Sequence, residues 1–229
     1  AMSTHNESID AGADQHFGAY VSVPAKANGH AVIVLQEIFG VTPHIRAVAD
    51  RFAEDGYLAY APDLFWRFAP NISLTHSKED IAKAMGYLHE YPDSDGLRDI
   101  ASTAQHIRSL PGFSGRVAVA GMCLGGKLAY LAAASASVDA AVSFYGVGIE
   151  THLHLASALQ CPLMLHFGDM DPYVPEPARQ AIADALHLQP SVTMHLYPGA
   201  NHGFYTRGAA ADVALARERT CAFLQNALA

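Results

Sequence analysis

RVAVAGMCLGGKLAY, residues 116–130, holds the reading that decides the fold. RVAVAG (116–121) is a β-branched and alanine run with the composition of a buried strand, and GKLAYLAAASA (126–136) has that of a buried helix. Between them stands Gly121-Met122-Cys123-Leu124-Gly125, a G-x-nucleophile-x-G turn with a cysteine at its tip. Glycine two residues to either side of Cys123 removes side chains that would collide in so sharp a turn. The helix that follows aims its positive end and its first N–H groups at the sulfur, which favours thiolate, and the Leu124 N–H is placed to bind an oxyanion.

Outward from this turn, short apolar runs alternate with amphipathic segments. Strands are predicted at AYVSV (19–23), HAVIVLQ (30–36), YLAYAPD (57–63), RVAVAG (116–121), DAAVSFYG (139–146), CPLMLHFG (161–168) and VTMHLYPG (192–199). Helices are predicted at 43–56, 77–90, 97–110, 126–136, 176–188 and 212–228. Near-continuous apolar strands separated by helices imply a mostly parallel sheet covered on both faces, an α/β architecture. The first two predicted strands flank the turn-prone KANG and are expected to add an antiparallel edge. The irregular stretch LFWRFAPNISLTH (64–76) follows a strand end, where open α/β sheets place ligands, so it is expected to wall a pocket.

Composition narrows the function classes. At 229 residues the chain suits one sizeable core, and residues 1–229 are read as a single domain. A formal charge of −8 without a basic stretch argues against nucleic acid as a partner. No apolar run reaches the length of a membrane span, and AMSTHNESID lacks the basic start and apolar core of a signal peptide, so a soluble, cytoplasmic protein is expected. Ala1 before Met2 is read as a cloning remnant. Cys123, Cys161 and Cys221 form neither a metal-spaced cluster nor an even disulfide set, which fits a reducing compartment. Cys161 and Cys221 are assigned to packing.

A nucleophile at Cys123 needs a base and an acid to orient it. HFGDMDPYVP (166–175) places Asp169 and Asp171 just beyond one predicted strand, and ANHGFYTR (200–207) places His202 beyond the next. The order nucleophile, acid, histidine is that of α/β-hydrolases. Asp171, in G-x-x-D-x-x-V-P, is assigned the acid, with Asp169 as its rival and a turn residue by default. His152 and His154 alternate as two metal ligands would, but no third ligand lies close, so no metal is expected.

With these residues in view, the chain resembles the dienelactone hydrolase family, cysteine-dependent members of the α/β-hydrolase fold. The resemblance rests on QEIFGV (36–41), GYLAYAPDL (56–64), VAVAGMCLGGKLAY (117–130), FYGVG (144–148), GDMDPYVP (168–175) and NHGF (201–204). It implies attack by Cys123 on an ester or lactone carbonyl with His202 as base and Asp171 as acid. It implies an oxyanion hole from the N–H groups of Ile38 and Leu124, and control of thiol ionisation by Glu37. A carboxylate beside a thiolate disfavours the charged state, which gives that last role physical sense.

Two departures bear on the substrate. The arginine that the family places shortly after the histidine has a counterpart in Arg207, one residue further on. No arginine lies between Arg67 and Arg98, where the family has its second, leaving Lys78 and Lys83 as point charges. Phe39, Trp66 and Tyr145 are read as an aromatic wall of the substrate site. The expected partner is therefore a small ester or lactone, with neither metal nor organic cofactor. A glutamine amidotransferase would need H-x-E after the cysteine, whereas the H-x-E of this chain is His5-Asn6-Glu7, upstream. A non-catalytic small-molecule-binding protein on the same scaffold is the rival reading from another class.

Overall fold

A computed structural model describes residues 2–229. The chain divides into two compact units, one ending at Val117 and one spanning Ala118–Ala229.

The first unit contains β1 (Ser3–Gly12), β2 (Gln15–Val23), β3 (Ala31–Leu35), α1 (Pro43–Glu54), β4 (Leu58–Pro62), α2 (Lys78–Glu90) and α3 (Asp93–Arg108). Its strands lie in the order β1-β2-β4-β3. β3 pairs with β4 in parallel, β2 runs antiparallel to β4, and β1 runs antiparallel to β2. The expected antiparallel edge is thus present with different members. β2 pairs with β1 and β4, and the KANG segment does not close a hairpin onto β3.

Helix starts follow from local chemistry. Thr42 caps α1 by accepting from Ile45 N–H, with Pro43 in the first turn where its missing N–H costs nothing. Ser77 caps α2 by accepting from Asp80 N–H, and Asp80 in turn accepts from both the N–H and the hydroxyl of Thr75. α1 buries Ile45, Val48, Ala49 and Phe52, spaced to share one face.

The second unit contains all but the first residue of β5 (Val117–Met122), then α4 (Leu124–Ala133), β6 (Ala140–Phe144), two short 3₁₀ turns at Ile149–Thr151 and Leu153–Ala158, β7 (Leu163–Gly168), α5 (Glu176–Leu186), β8 (Val192–Tyr197), the one-turn α6 (Phe204–Arg207) and α7 (Ala210–Ala227). Strands β5-β6-β7-β8 are adjacent and all parallel. β5, β6 and β7 are buried throughout, so their apolar side chains supply the core; each large one removed from water contributes about 1.5–3 kcal/mol. Parallel strands bring all their carboxyl ends to one edge. Residues following β5, β6, β7 and β8 therefore emerge side by side there.

No helix among the described residues is long and apolar enough to cross a membrane.

Candidate active site

The turn after β5 is as tight as a chain can make it. Cys123 N–H donates to Phe144 O at 3.0 Å, extending the ladder to β6, while its own carbonyl accepts from Lys127 N–H at 3.1 Å and opens α4. One residue thus ends a strand and begins a helix. The consequence is φ 58°, ψ −114° at Cys123, a conformation that costs an L-residue about 1–3 kcal/mol. A side chain at Gly121 would run into the Gly125 carbonyl, and one at Gly126 would stand 2.6 Å from Phe144 O. The glycine spacing is what lets strand and helix approach. Cys123 is 9 % exposed, at the amino end of α4, where Leu124, Gly125 and Gly126 carry the N–H groups that no earlier turn of helix can accept from.

Two loops beyond β7 and β8 are stitched together by backbone. Asp169 N–H donates to Tyr197 O and Met170 N–H to Ala200 O, at 3.2 and 3.0 Å. Asp169 Oδ1 accepts from Gly199 N–H at 2.6 Å, so this carboxylate braces the two loops. Asp171 does something else. Its Oδ2 lies 2.7 Å from His202 Nδ1, and its Oδ1 accepts from Tyr173 N–H at 2.8 Å. The Asp171 side chain is 1 % exposed and that of His202 15 %. A buried carboxylate accepting at Nδ1 fixes the imidazole tautomer with its proton on Nδ1, which leaves Nε2 as the basic nitrogen.

The imidazole of His202 is also held from the sides. Tyr145 and Tyr173 each meet it edge-on, with ring centroids 4.9 Å away. Tyr145 is fully buried, has φ 39°, and donates its N–H to His166 O at 2.8 Å. His166 is itself wholly buried: its Nδ1 meets the Tyr197 hydroxyl at 2.8 Å and its Nε2 the Thr220 hydroxyl at 3.1 Å. Phe144 stacks on it at 4.5 Å and Tyr205 on Phe144 at 4.1 Å. Burial drives the His166 pKa well below its ordinary value, so this ring is neutral and ties β7 to β8 and α7. Tyr173 and His166 were absent from the sequence-based site. The V-P after Tyr173 marked a loop but not its direction, and His166 is one of thirteen histidines, distinguished only by its place in an apolar strand.

Arg207 ends α6, exposed, with Nη1 donating to the Thr206 hydroxyl at 3.0 Å. The turn into α6 passes through Gly203 at φ 79°, and a side chain there would strike the Arg207 guanidinium. Arg207 and His202 line one small cavity of about 180 Å³.

The remaining candidates belong to the first unit. Glu37 is 3 % exposed in a tight loop closed by a bridge to Gly40, and Gln36 anchors that loop by donating to Glu37 O and accepting from Leu64 N–H. Ile38 and Phe39 follow, both largely buried, with Phe39 against His76 at 4.1 Å between ring centroids. The irregular stretch returns to this loop, since Leu74 N–H donates to Phe39 O and Ser73 bridges Gly40. Trp66 donates its indole N–H to Asp99 at 3.0 Å, with Arg67 over its ring and Phe17 stacked beside it. Lys83 is exposed on α2 and acts on Asp80, whose carboxyl is held below the usual range chiefly by the Thr75 N–H and hydroxyl.

Among the described residues no group of three or more His, Cys, Asp or Glu side chains is arranged to hold a metal ion, and none of the three cysteines is in a disulfide. His152 and His154 have ring centroids 6.1 Å apart.

Comparison with known proteins finds relatives over nearly the whole chain. Residues 17–228 match the model of the "Dienelactone hydrolase family". A carboxymethylenebutenolidase of Pseudomonas sp. (strain P51) is 40% identical over 204 residues, 89% of this chain and 85% of that protein. One from Pseudomonas putida is 36% identical over 228 residues, 97% of each. Among solved structures, one from Klebsiella pneumoniae subsp. pneumoniae, named for dienelactone hydrolase, superposes with TM-score 0.83 at 29% identity and covers 98% of this chain and 99% of its own. The architecture is that of the α/β-hydrolases.

Proposed function

Because the chain belongs to the dienelactone hydrolase family, we propose that it hydrolyses small carboxylic esters or lactones through a thioester on Cys123. The protein is a hydrolase of lactone or ester substrates.

In the proposed reaction, His202 Nε2 takes the thiol proton and Cys123 Sγ attacks the carbonyl carbon. The Leu124 N–H, at the head of α4, stabilises the negative oxygen that forms. Ile38 N–H as second donor and Glu37 as the carboxylate governing thiol ionisation are assigned on the QEIFG motif. Collapse of the tetrahedral species breaks the carbon–oxygen bond, and the imidazolium returns its proton to the departing alkoxide. In a lactone the alkoxide stays tethered to the acyl group. Water, deprotonated by the same nitrogen, then attacks the thioester and releases the carboxylic acid. Asp171 orients the ring and stabilises its charged form. A reducing, cytoplasmic setting is part of the proposal, because the thiol must remain reduced.

One observation carries this reading: a buried Asp171–His202 pair at 2.7 Å emerges from the same sheet edge as a cysteine held at φ 58° on a helix terminus. The strain at Cys123 has no packing purpose that glycine, which lacks the Cβ that causes it, would not serve better. The experiment is acid quench of the wild-type protein during turnover of an activated ester, followed by peptide mapping. An acyl group on the peptide containing Cys123 is expected. Acylation of a serine, or of no residue, contradicts the covalent route.

A further inference from the structure

The first unit carries an open cavity of about 660 Å³, and none of its lining residues has a part in the proposed reaction. Its walls include Thr4, Asn6, Gly18, Tyr20, Arg46 and Asp63. A second hollow of about 400 Å³ shares Gly18 and Asp63 with it. The size is that of small-molecule sites.

Three features mark it as built for a ligand. Asp63, just beyond β4, is 6 % exposed. Its Oδ2 accepts from Asn71 N–H at 2.8 Å, while its Oδ1 is buried with no hydrogen-bond partner. Buried carboxyl oxygens are seldom left so. Burial, with the Asp99 carboxylate nearby, pushes the Asp63 carboxyl above its ordinary range against the lowering by the Asn71 and Phe65 N–H groups. The second feature is Gly18, inside β2. Its φ is not in the left-handed region, and a Cβ there would meet nothing within 4 Å. Neither conformation nor packing explains a glycine that weakens a strand, whereas close approach of another molecule to the backbone does. Asp63 N–H donates to Gly18 O at 2.9 Å, so the residue with the unpaired Oδ1 and the bare backbone of Gly18 are neighbours. The third is Arg46, the one lysine or arginine in the lining. Its Nη1 is anchored on Val41 O at 2.7 Å, and a guanidinium so fixed has further donors to offer.

We propose that this cavity is a second binding site, for a small hydroxycarboxylic acid whose carboxylate meets Arg46 and whose hydroxyl donates to Asp63 Oδ1 over the bare backbone of Gly18. Water added across a lactone leaves a carboxylate and a hydroxyl on one molecule, so the site matches the form of the enzyme's own product. That choice of ligand rests on the lactone chemistry proposed above; the cavity and its unpaired acceptor do not.

The test is a nitrogen-15 NMR titration of the full chain with γ-hydroxybutanoate, butanoate and butanediol. Saturable shifts are expected at the amides of residues 18–20 and 71–73, with γ-hydroxybutanoate binding about tenfold or more tightly than either partial analogue, since each lacks one hydrogen-bonding end. Gly18→Val, which fills the space with a strand-favouring side chain, should abolish these shifts and leave nitrophenyl acetate turnover unchanged. Arg46→Met, which keeps the aliphatic stem, should erase the preference for γ-hydroxybutanoate over butanediol. Shifts confined to other residues, equal affinity for butanoate, or undiminished binding by a folded Gly18→Val protein would overturn the proposal. Absent binding with intact ester turnover defeats this site alone. Binding at these amides without ester turnover supports the site and defeats the hydrolase reading.

Discussion

Asp171 and Asp169 stand two residues apart on one loop, yet their carboxylates serve different partners: Asp171 Oδ2 meets His202 Nδ1 at 2.7 Å, and Asp169 Oδ1 accepts from Gly199 N–H at 2.6 Å. In the proposed reaction the first bond orients the proton carrier, and the second braces a turn. Asp171→Asn should therefore lower kcat by about 10³–10⁴ with little change in Tm, because an amide donates to Nδ1 and moves the imidazole proton to Nε2. Asp169→Ala should instead cost about 1–2 kcal/mol of stability and retain most of the activity of the folded protein. Steady-state kinetics and thermal melts on the two variants check the assignment, and an exchange of the two phenotypes would reverse it.

Thiol labelling follows from the cysteine environments. Burial pushes the Cys161 thiol up to about 11, which leaves almost no thiolate at neutral pH. Cys123 sits at a helix amino terminus beside the site. Brief treatment with iodoacetamide should abolish activity with modification at Cys123, and a substrate analogue should slow it. Peptide mapping that finds inactivation through Cys161 or Cys221 would refute this.

A buried neutral histidine sets a pH dependence. The His166 pKa in the fold lies far below its ordinary 6.5, because burial disfavours the imidazolium. The unfolded chain binds a proton as pH falls through 6.5 and the fold does not. The folded state therefore has this contribution in full above that pH and loses it below, at up to about 1.4 kcal/mol per pH unit. His195, also lowered by burial, adds in the same direction. Replacing His166 with Asn should flatten the fall of unfolding free energy between pH 6.5 and 5 by about one proton's worth, whatever its effect on absolute stability. Denaturant melts across that range measure the slope, and an unchanged slope would show that His166 titrates in the native state.

Much of the architecture was legible because its signal is burial. β5, β6 and β7 are continuous apolar runs, and the G-x-C-x-G spacing announces a turn in which Gly121 and Gly125 touch. What escaped was polar or short. β1, STHNESIDAG, buries only Ile9, so its sequence carries no alternation to read; it is recruited by pairing with β2 and by Glu7, which accepts from Tyr60 and meets His106. α3 begins at Asp93, ahead of the predicted Leu97, because DSDG reads as a turn although Asp93 and Asp95 suit a helix amino end. In the site, the succession of Cys123, Asp171 and His202 along the chain was readable. The choice of Asp171 over Asp169 rests on its G-x-x-D-x-x-V-P segment and agrees with the Asp171–His202 contact, whereas the backbone bonds between the β7 and β8 loops were not readable.

Arg207 is proposed to meet the substrate's carboxylate. It shares a cavity with His202 and is exposed at the end of α6. A carboxylate-bearing lactone should be preferred over its methyl ester, and Arg207→Ala should reduce that preference by about one to two orders of magnitude in kcat/KM, the loss of one charge-assisted hydrogen bond. Equal kcat/KM for acid and ester in the wild type would remove the arginine from the site.

The most direct test of the proposed chemistry is kcat/KM for nitrophenyl acetate in Cys123→Ala beside the wild type, with circular dichroism to verify the fold. Alanine removes the nucleophile and leaves the Asp171–His202 pair and the head of α4 in place, so the rate should fall by about 10⁴ or more, to the residue of oxyanion stabilisation and binding. A folded Cys123→Ala protein that keeps wild-type kcat/KM would contradict the thioester mechanism outright.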